Sequence, residues 1–161
     1  MSYLGTPDFI HGSQARVGIL LVNLGTPSDP SPQAVRRYLA EFLSDPRVIE
    51  APRLLWWLVL HGVILRTRPR RSAHAYQKIW TPEGSPLLVE SRRLTQGLAT
   101  RLRERFGDSA LVDLAMTYGE PSIRSALERF RAQNVQRLLV LPLYPQYSST
   151  TTGSIFEFVT R

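Results

Sequence analysis

Six hydroxyl side chains, Ser148, Ser149, Thr150, Thr151, Thr152 and Ser154, stand ahead of Ile155-Phe156-Glu157-Phe158, where a helix can begin. Two chemistries suit such a run. One is local: hydroxyls cap the helix and close side-chain-to-backbone turns. The other is a cradle for a ligand carboxylate, because free N–H groups and the helix dipole favour anions. The sequence leaves both open. Candidate bases are fewer: His11, His61 and His74 lack partners at metal-binding or catalytic spacing, and a lone histidine is more often structural or solvated. The single lysine, Lys78, lies in Tyr76-Gln77-Lys78-Ile79-Trp80, outside any glycine loop, and no Gly-x-Gly-x-x-Gly follows a strand. Nucleotide hydrolysis and dinucleotide binding are therefore not expected. Cysteine is absent, which excludes disulfides, a thiolate zinc site, a cysteine nucleophile and an iron–sulfur cluster held by this chain alone. That usage fits a reducing cytoplasm. No catalytic residue and no metal ligand set emerges, so the acid or base of any reaction is expected outside this chain.

The elements that must position these residues follow from periodicity. Val17 to Val22 is a continuous apolar run ended by Gly25 and Pro27, as expected of a strand buried on both faces. Leu111 to Met116 and Leu138 to Leu143 repeat it, halted at Gly119-Glu120-Pro121 and at Pro142 and Pro145. Between them, Val35, Tyr38, Leu39 and Phe42 make a helical stripe; Leu94, Leu98, Leu102 and Phe106 make another, closed by Gly107; Ile123, Leu127 and Phe130 make a third. Alternating strands and helices predict an α/β fold, a doubly wound parallel sheet with helices on both faces. The 161 residues, 43% hydrophobic and 20% charged, suffice for one compact domain behind a polar tail over 1–15. Ligands of such sheets bind outside the carboxyl ends of the strands, here Asn23 to Ser28, Tyr118 to Ser122 and Tyr144 to Ser154.

Asp45 to Pro86 is too long for a simple loop. It holds Leu54-Leu55-Trp56-Trp57-Leu58-Val59-Leu60, then Val63-Ile64-Leu65, then the cluster Arg66, Arg68, Arg70 and Arg71. A core helix is one reading, and a lip that touches lipid or a flat apolar ligand is the other. The run is far short of the ~20 apolar residues a spanning helix needs. The net charge of +7, with nineteen of the twenty basic residues arginine, would suit nucleic acid or anionic lipid, yet the arginines are dispersed and no nucleic-acid recognition module is present.

The sequences Leu-Leu-Val-Asn-Leu-Gly-Thr-Pro (20–27), Tyr-Gln-Lys-Ile-Trp-Thr-Pro-Glu-Gly-Ser-Pro-Leu (76–87) and Leu-Pro-Leu-Tyr-Pro-Gln-Tyr-Ser-Ser-Thr-Thr-Thr-Gly-Ser (141–154) are jointly specific. From about Arg16 onward the chain resembles ferrochelatase, the family that inserts ferrous iron into protoporphyrin IX. The resemblance implies two similar Rossmann-like, chelatase-like halves with the porphyrin between them. It further implies that residues 16–150 are the first, porphyrin-binding half and that 151–161 begin a connecting helix to a second domain. The metal-binding histidine and its partner glutamate would belong to that second half. On this chain the resemblance puts Leu24, Tyr144, Ser148 and Thr150 in the porphyrin cleft, and Arg68, Tyr76 and Ser85 at propionate and edge contacts. Thr117 replaces the arginine of many relatives, so no positioning role carries over to it. Ser149 replaces the cysteine of cluster-containing relatives, so no resident cofactor or iron–sulfur cluster is expected. Protoporphyrin IX and ferrous iron are the implied substrates, nucleic acid is not an expected partner, and a cytoplasmic protein in peripheral contact with the inner face of an anionic membrane is expected. Two rival readings remain: a non-catalytic tetrapyrrole-binding module and a basic nucleic-acid-binding domain.

Overall fold

The structure, a computed structural model, describes residues 15–160. His11 and all of the tail but Ala15 lie outside the described residues, as does Arg161. Three parallel strands, β1 (Arg16–Gly25), β2 (Ala110–Tyr118) and β3 (Val135–Pro142), form a sheet in the order β2-β1-β3. The register places Leu21 of β1 between Leu114 and Leu141. The helices are α1 (Pro32–Ser44), α2 (Arg53–Val59), α3 (Leu65–Ile79), α4 (Pro86–Phe106), α5 (Ile123–Ala132) and α6 (Ser154–Thr160). A π-helical turn, Leu60–Ile64, joins α2 to α3, and another, Ser149–Gly153, leads into α6.

Local chemistry explains the starts. Ser31 Oγ accepts from Ala34 N at 3.2 Å with Pro32 as the first helical residue, and Ser122 Oγ accepts from Ser125 N at 3.3 Å. The two faces of the sheet are covered by different helices. Leu20, Val22 and Ala115 meet Ile123, Ala126 and Phe130 of α5 and Ile155 of α6. Leu21, Leu114 and Met116 meet Leu88 and Leu98 of α4. The doubly wound α/β architecture expected from the sequence is therefore present. A third cluster joins Val35, Tyr38, Leu39 and Leu43 of α1 to Leu60, Leu65, Ala73 and Tyr118.

Two expectations fail for physical reasons. β3 is not buried on both faces: Leu138, Leu139 and Leu141 are exposed, because β3 is an edge strand and α4 packs on β2 and β1. The α4 stripe does not face the core as a unit, since Leu94 and Phe106 are half exposed. A four-residue repeat advances about 40° per step on a helix of 3.6 residues per turn, so residues twelve apart cannot share a buried face.

Candidate functional site

The parallel sheet brings all three carboxyl ends to one edge, and hydrogen bonds lock the loops there together. Thr117 Oγ1 donates to Asn23 O at 3.1 Å, and Asn23 Nδ2 donates to Ser91 Oγ on α4 at 3.1 Å. Tyr38 reaches back from α1 to donate to Gly25 O at 3.3 Å. The Tyr144 hydroxyl is buried beside Thr117 without a well-formed bond.

Four tyrosines gather around this edge, and burial raises the pKa of each. Tyr38 and Tyr118 are raised furthest, Tyr38 with added repulsion from Tyr76 and Tyr144, and Tyr118 through its bond to Asp45 as well. Tyr76 and Tyr144 are raised by burial too. These phenols are protonated donors at neutral pH, and none can act as a base there.

The structure unites most of the residues that the sequence singled out. Leu24 and Tyr76 pack on the cluster containing Tyr38 and Tyr118, and Tyr144 is near enough to Tyr38 to affect its ionisation. Ser148 Oγ lies 3.1 Å from Thr150 Oγ1 and 2.7 Å from Thr151 Oγ1. These hydroxyls engage one another, and Ser148 makes no side-chain cap to the turn that follows. Of the local reading the cap is absent but the side-chain-to-backbone turn is present, since Thr151 Oγ1 donates to Ser148 O at 3.4 Å within a π-helical turn, and α6 starts at Ser154. Arg68 is exposed on α3, eight residues and roughly 12 Å of helix rise before Tyr76. Ser85 is buried at the N-cap of α4 and makes no cap hydrogen bond.

The apolar run Leu54 to Leu65 is no core helix. Leu54, Leu55, Trp57 and Leu58 are each more than half exposed, while Leu60 and Leu65 are buried. α2 is held as a projecting lip at its base, where Trp56 Nε1 donates at 2.7 Å to Leu43 O, a carbonyl in the last turn of α1. Across the lip's inner side runs a groove of about 350 Å3 lined by Ile49, Leu54, Trp56, Trp57 and Leu60, with Arg53 at its edge. Pro69 is tolerated within α3 close behind the π-helical turn, where Thr67 Oγ1 donates to Val63 O at 3.0 Å.

Neither described histidine is placed for chemistry at this edge. His61 stacks on Trp57 with ring centroids 4.8 Å apart, its Nδ1 lies 3.1 Å from Trp57 O, and His74 is exposed on α3. Among the described residues no group of three His, Cys, Asp or Glu side chains could hold a metal ion. Sequence reasoning placed Tyr118 in a rim loop without giving it a partner, and missed Tyr38, whose apolar neighbours made it look like core alone.

An open parallel α/β sheet with a tyrosine-lined rim at its carboxyl end and an apolar lip beside it is the class of domain that the fold and these side chains define. Comparison with known proteins supplies the family. The ferrochelatase family profile matches residues 16–161. The chain is 57% identical over its whole length to the ferrochelatase of Thioalkalivibrio sulfidiphilus and 54% identical to that of Nitrosococcus oceani. It is also 57% identical, over 93% of its length, to the ferrochelatase of Methylococcus capsulatus. This chain belongs to the ferrochelatase family. It spans 44% of the length of each of these three relatives.

Proposed function

We propose that this chain is the porphyrin-holding part of a ferrochelatase, an enzyme that inserts ferrous iron into protoporphyrin IX to form haem. Residues 16–150 are the porphyrin-binding half, and 151–161 begin the link to a second one. The observation that carries this reading is the assembly of Leu24, Tyr76 and Tyr144 at one sheet edge, with the Ser148–Thr150 hydroxyls in the loop that follows Tyr144. Protoporphyrin is a flat apolar disc with two carboxylates, so its site needs aromatic and aliphatic walls with donors at one rim. Leu24 and the lip offer the walls, the Tyr76 phenol and the hydroxyls of the turn donate, and Arg68 and Ser85 serve the propionates and the edge. The chain binds and bends the ring; iron is a substrate, and no resident cofactor is required.

The test is a titration of protoporphyrin IX into the chain, followed by its absorption band. Arg68→Ala removes a planar guanidinium that can pair bidentately with a propionate. A partly exposed charged hydrogen bond is worth on the order of 1.5 kcal/mol, so the dissociation constant should rise roughly tenfold. The dimethyl ester of the porphyrin should bind parent and variant alike. A tenfold difference persisting with the ester would mean lost packing, and no difference with the free acid would mean a solvated arginine.

We also propose that the protein works in the cytoplasm, docked on anionic membrane through the lip. The exposed Leu54, Leu55, Trp57 and Leu58, with Arg53, Arg66, Arg70 and Arg71 nearby, supply an apolar foot and cationic surroundings. No described helix is long and apolar enough to cross a membrane. Each basic residue near such a surface contributes ~1 kcal/mol. Co-sedimentation with phosphatidylserine-containing vesicles should fall sharply on raising salt and for Trp57→Ser with Leu58→Ser. Binding that ignores both changes would refute the docking.

A further inference from the structure

The lip and the hydroxyl turn lie about a hundred residues apart in sequence, yet one short segment at the root of the lip grips the surroundings of both. Asp45 ends α1 and uses its two carboxylate oxygens differently. Oδ1 accepts from Arg47 N at 2.7 Å, which closes the turn leading toward α2. Oδ2 accepts from the Tyr118 hydroxyl at the end of β2, at 2.6 Å. Two residues on, Arg47 Nε donates to Glu157 Oε2 of α6 at 2.6 Å. The Arg47 guanidinium also lies over the end of the hydroxyl turn, since a Cβ placed on Gly153 would be 3.6 Å from its Nη1. Tyr118 is itself wedged edge-on between Phe42 of α1 and Phe158 of α6, with ring centroids 5.2 and 6.0 Å away, and Ser154 lies beside its hydroxyl.

A half-exposed ion pair alone is worth little, and a capping aspartate is common. Here the two contacts diverge. Asp45 points to a fully buried phenol on the sheet, Arg47 to a carboxylate on α6, and both start from one turn. Two divergent anchors fix the orientation of the lip root, which a single contact would leave free to pivot.

We propose that Asp45 and Arg47 are positioning residues, acting through Tyr118 and Glu157 to hold the lip root against the hydroxyl turn so that the two walls of the cleft keep a fixed separation. That the ligand between the walls is a porphyrin rests on the function proposed above; the coupling of lip to turn does not.

Hydrogen exchange on the whole chain tests it. Tyr118→Phe deletes only the hydroxyl and keeps the ring contacts, and Glu157→Gln deletes the charge. The double variant should speed amide exchange roughly tenfold both in 52–60 of the lip and in 149–155 of the turn, relative to Leu20 and Leu21 amides in β1. Arg47→Lys, which keeps a charged donor, should preserve most of the protection. Acceleration confined to the substituted residue's own neighbours, or equal acceleration in β1, would overturn the proposal by showing a local or merely global effect. Protoporphyrin IX is then added. In the parent it should protect lip and turn together, and in the double variant it should bind more weakly and protect them unequally. Identical protection in parent and variant overturns the positioning role. Coupled exchange without any porphyrin binding would leave the positioning role standing and defeat the porphyrin reading instead.

Discussion

Anaerobic incubation of the 161-residue chain with ferrous iron and protoporphyrin IX produces haem no faster than the protein-free mixture. The expectation follows from what metal insertion requires. Two pyrrole protons must leave, the macrocycle must bend so that its nitrogens are accessible, and the iron must shed water. The described residues offer rigid walls and donors for the bending. None of the four phenols at the sheet edge is a competent base, because burial keeps Tyr38, Tyr76, Tyr118 and Tyr144 protonated. His61 is engaged with Trp57, and no trio of metal-ligating side chains exists among the described residues. A positioned base contributes typically ~10²–10⁴-fold, so its loss alone takes the rate toward the background. The strongest challenger is Glu41, whose carboxyl is made less acidic by burial while its Oε2 accepts from Gly119 N at 2.9 Å. Haem formation well above the control would overturn the expectation, and its disappearance in Glu41→Gln would identify the base.

What the sequence made legible, and what it hid, follows the range of the interactions involved. β1 and β2 were readable because an unbroken apolar run between turn signals has few other destinations in an α/β chain. The helices carrying Val35, Tyr38, Leu39 and Phe42 and carrying Ile123, Leu127 and Phe130 were readable from their stripes, because a helical period is settled within two turns. The exposure of β3 was not, because it depends on which strand is central, and sheet order is not written in any local pattern. The lip was ambiguous for the same reason: Leu54, Leu55, Trp57 and Leu58 have the composition of a core helix, and only the anchoring of Trp56 on Leu43 O turns their neighbours outward. Leu24, Tyr76 and Tyr144, singled out by their motifs, lie on or near the cluster that contains Tyr38 and Tyr118. Tyr38 and Asp45 were not assigned, and Tyr118 was placed in a rim loop without its partner, since their contacts lie 13 and 73 positions away. Arg68 and Ser85 were selected by resemblance alone: Arg68 is exposed on α3, and Ser85 is buried at the N-cap of α4.

Replacing Gly25 by alanine should remove most of the stability of the fold. Gly25 ends β1 opposite Tyr118 with φ +116°, a conformation that L residues rarely adopt. A Cβ there would fall 1.9 Å from Tyr118 O and 3.3 Å from Tyr118 N. Both are backbone atoms of the neighbouring strand, so no side-chain rotation relieves the overlap, and relief requires prising apart the carboxyl ends of β1 and β2. The same movement would displace Gly25 O from the Tyr38 hydroxyl and Tyr118 from Asp45. Strain at such a φ and a disrupted buried network each belong to the short list of large effects, and together they should cost about 3–5 kcal/mol. Gly97, exposed in α4 with nothing within 4 Å of an added Cβ, is the control. Gly97→Ala should stabilise the chain by about 1 kcal/mol through helix propensity alone. Urea unfolding followed by circular dichroism measures both, and a Gly25→Ala chain that never becomes soluble while Gly97→Ala does agrees with the larger figure. A Gly25→Ala midpoint within about 1 kcal/mol of the parent would show that the strand ends yield easily, and the close approach of β1 to β2 would then not be what holds the three loops in register.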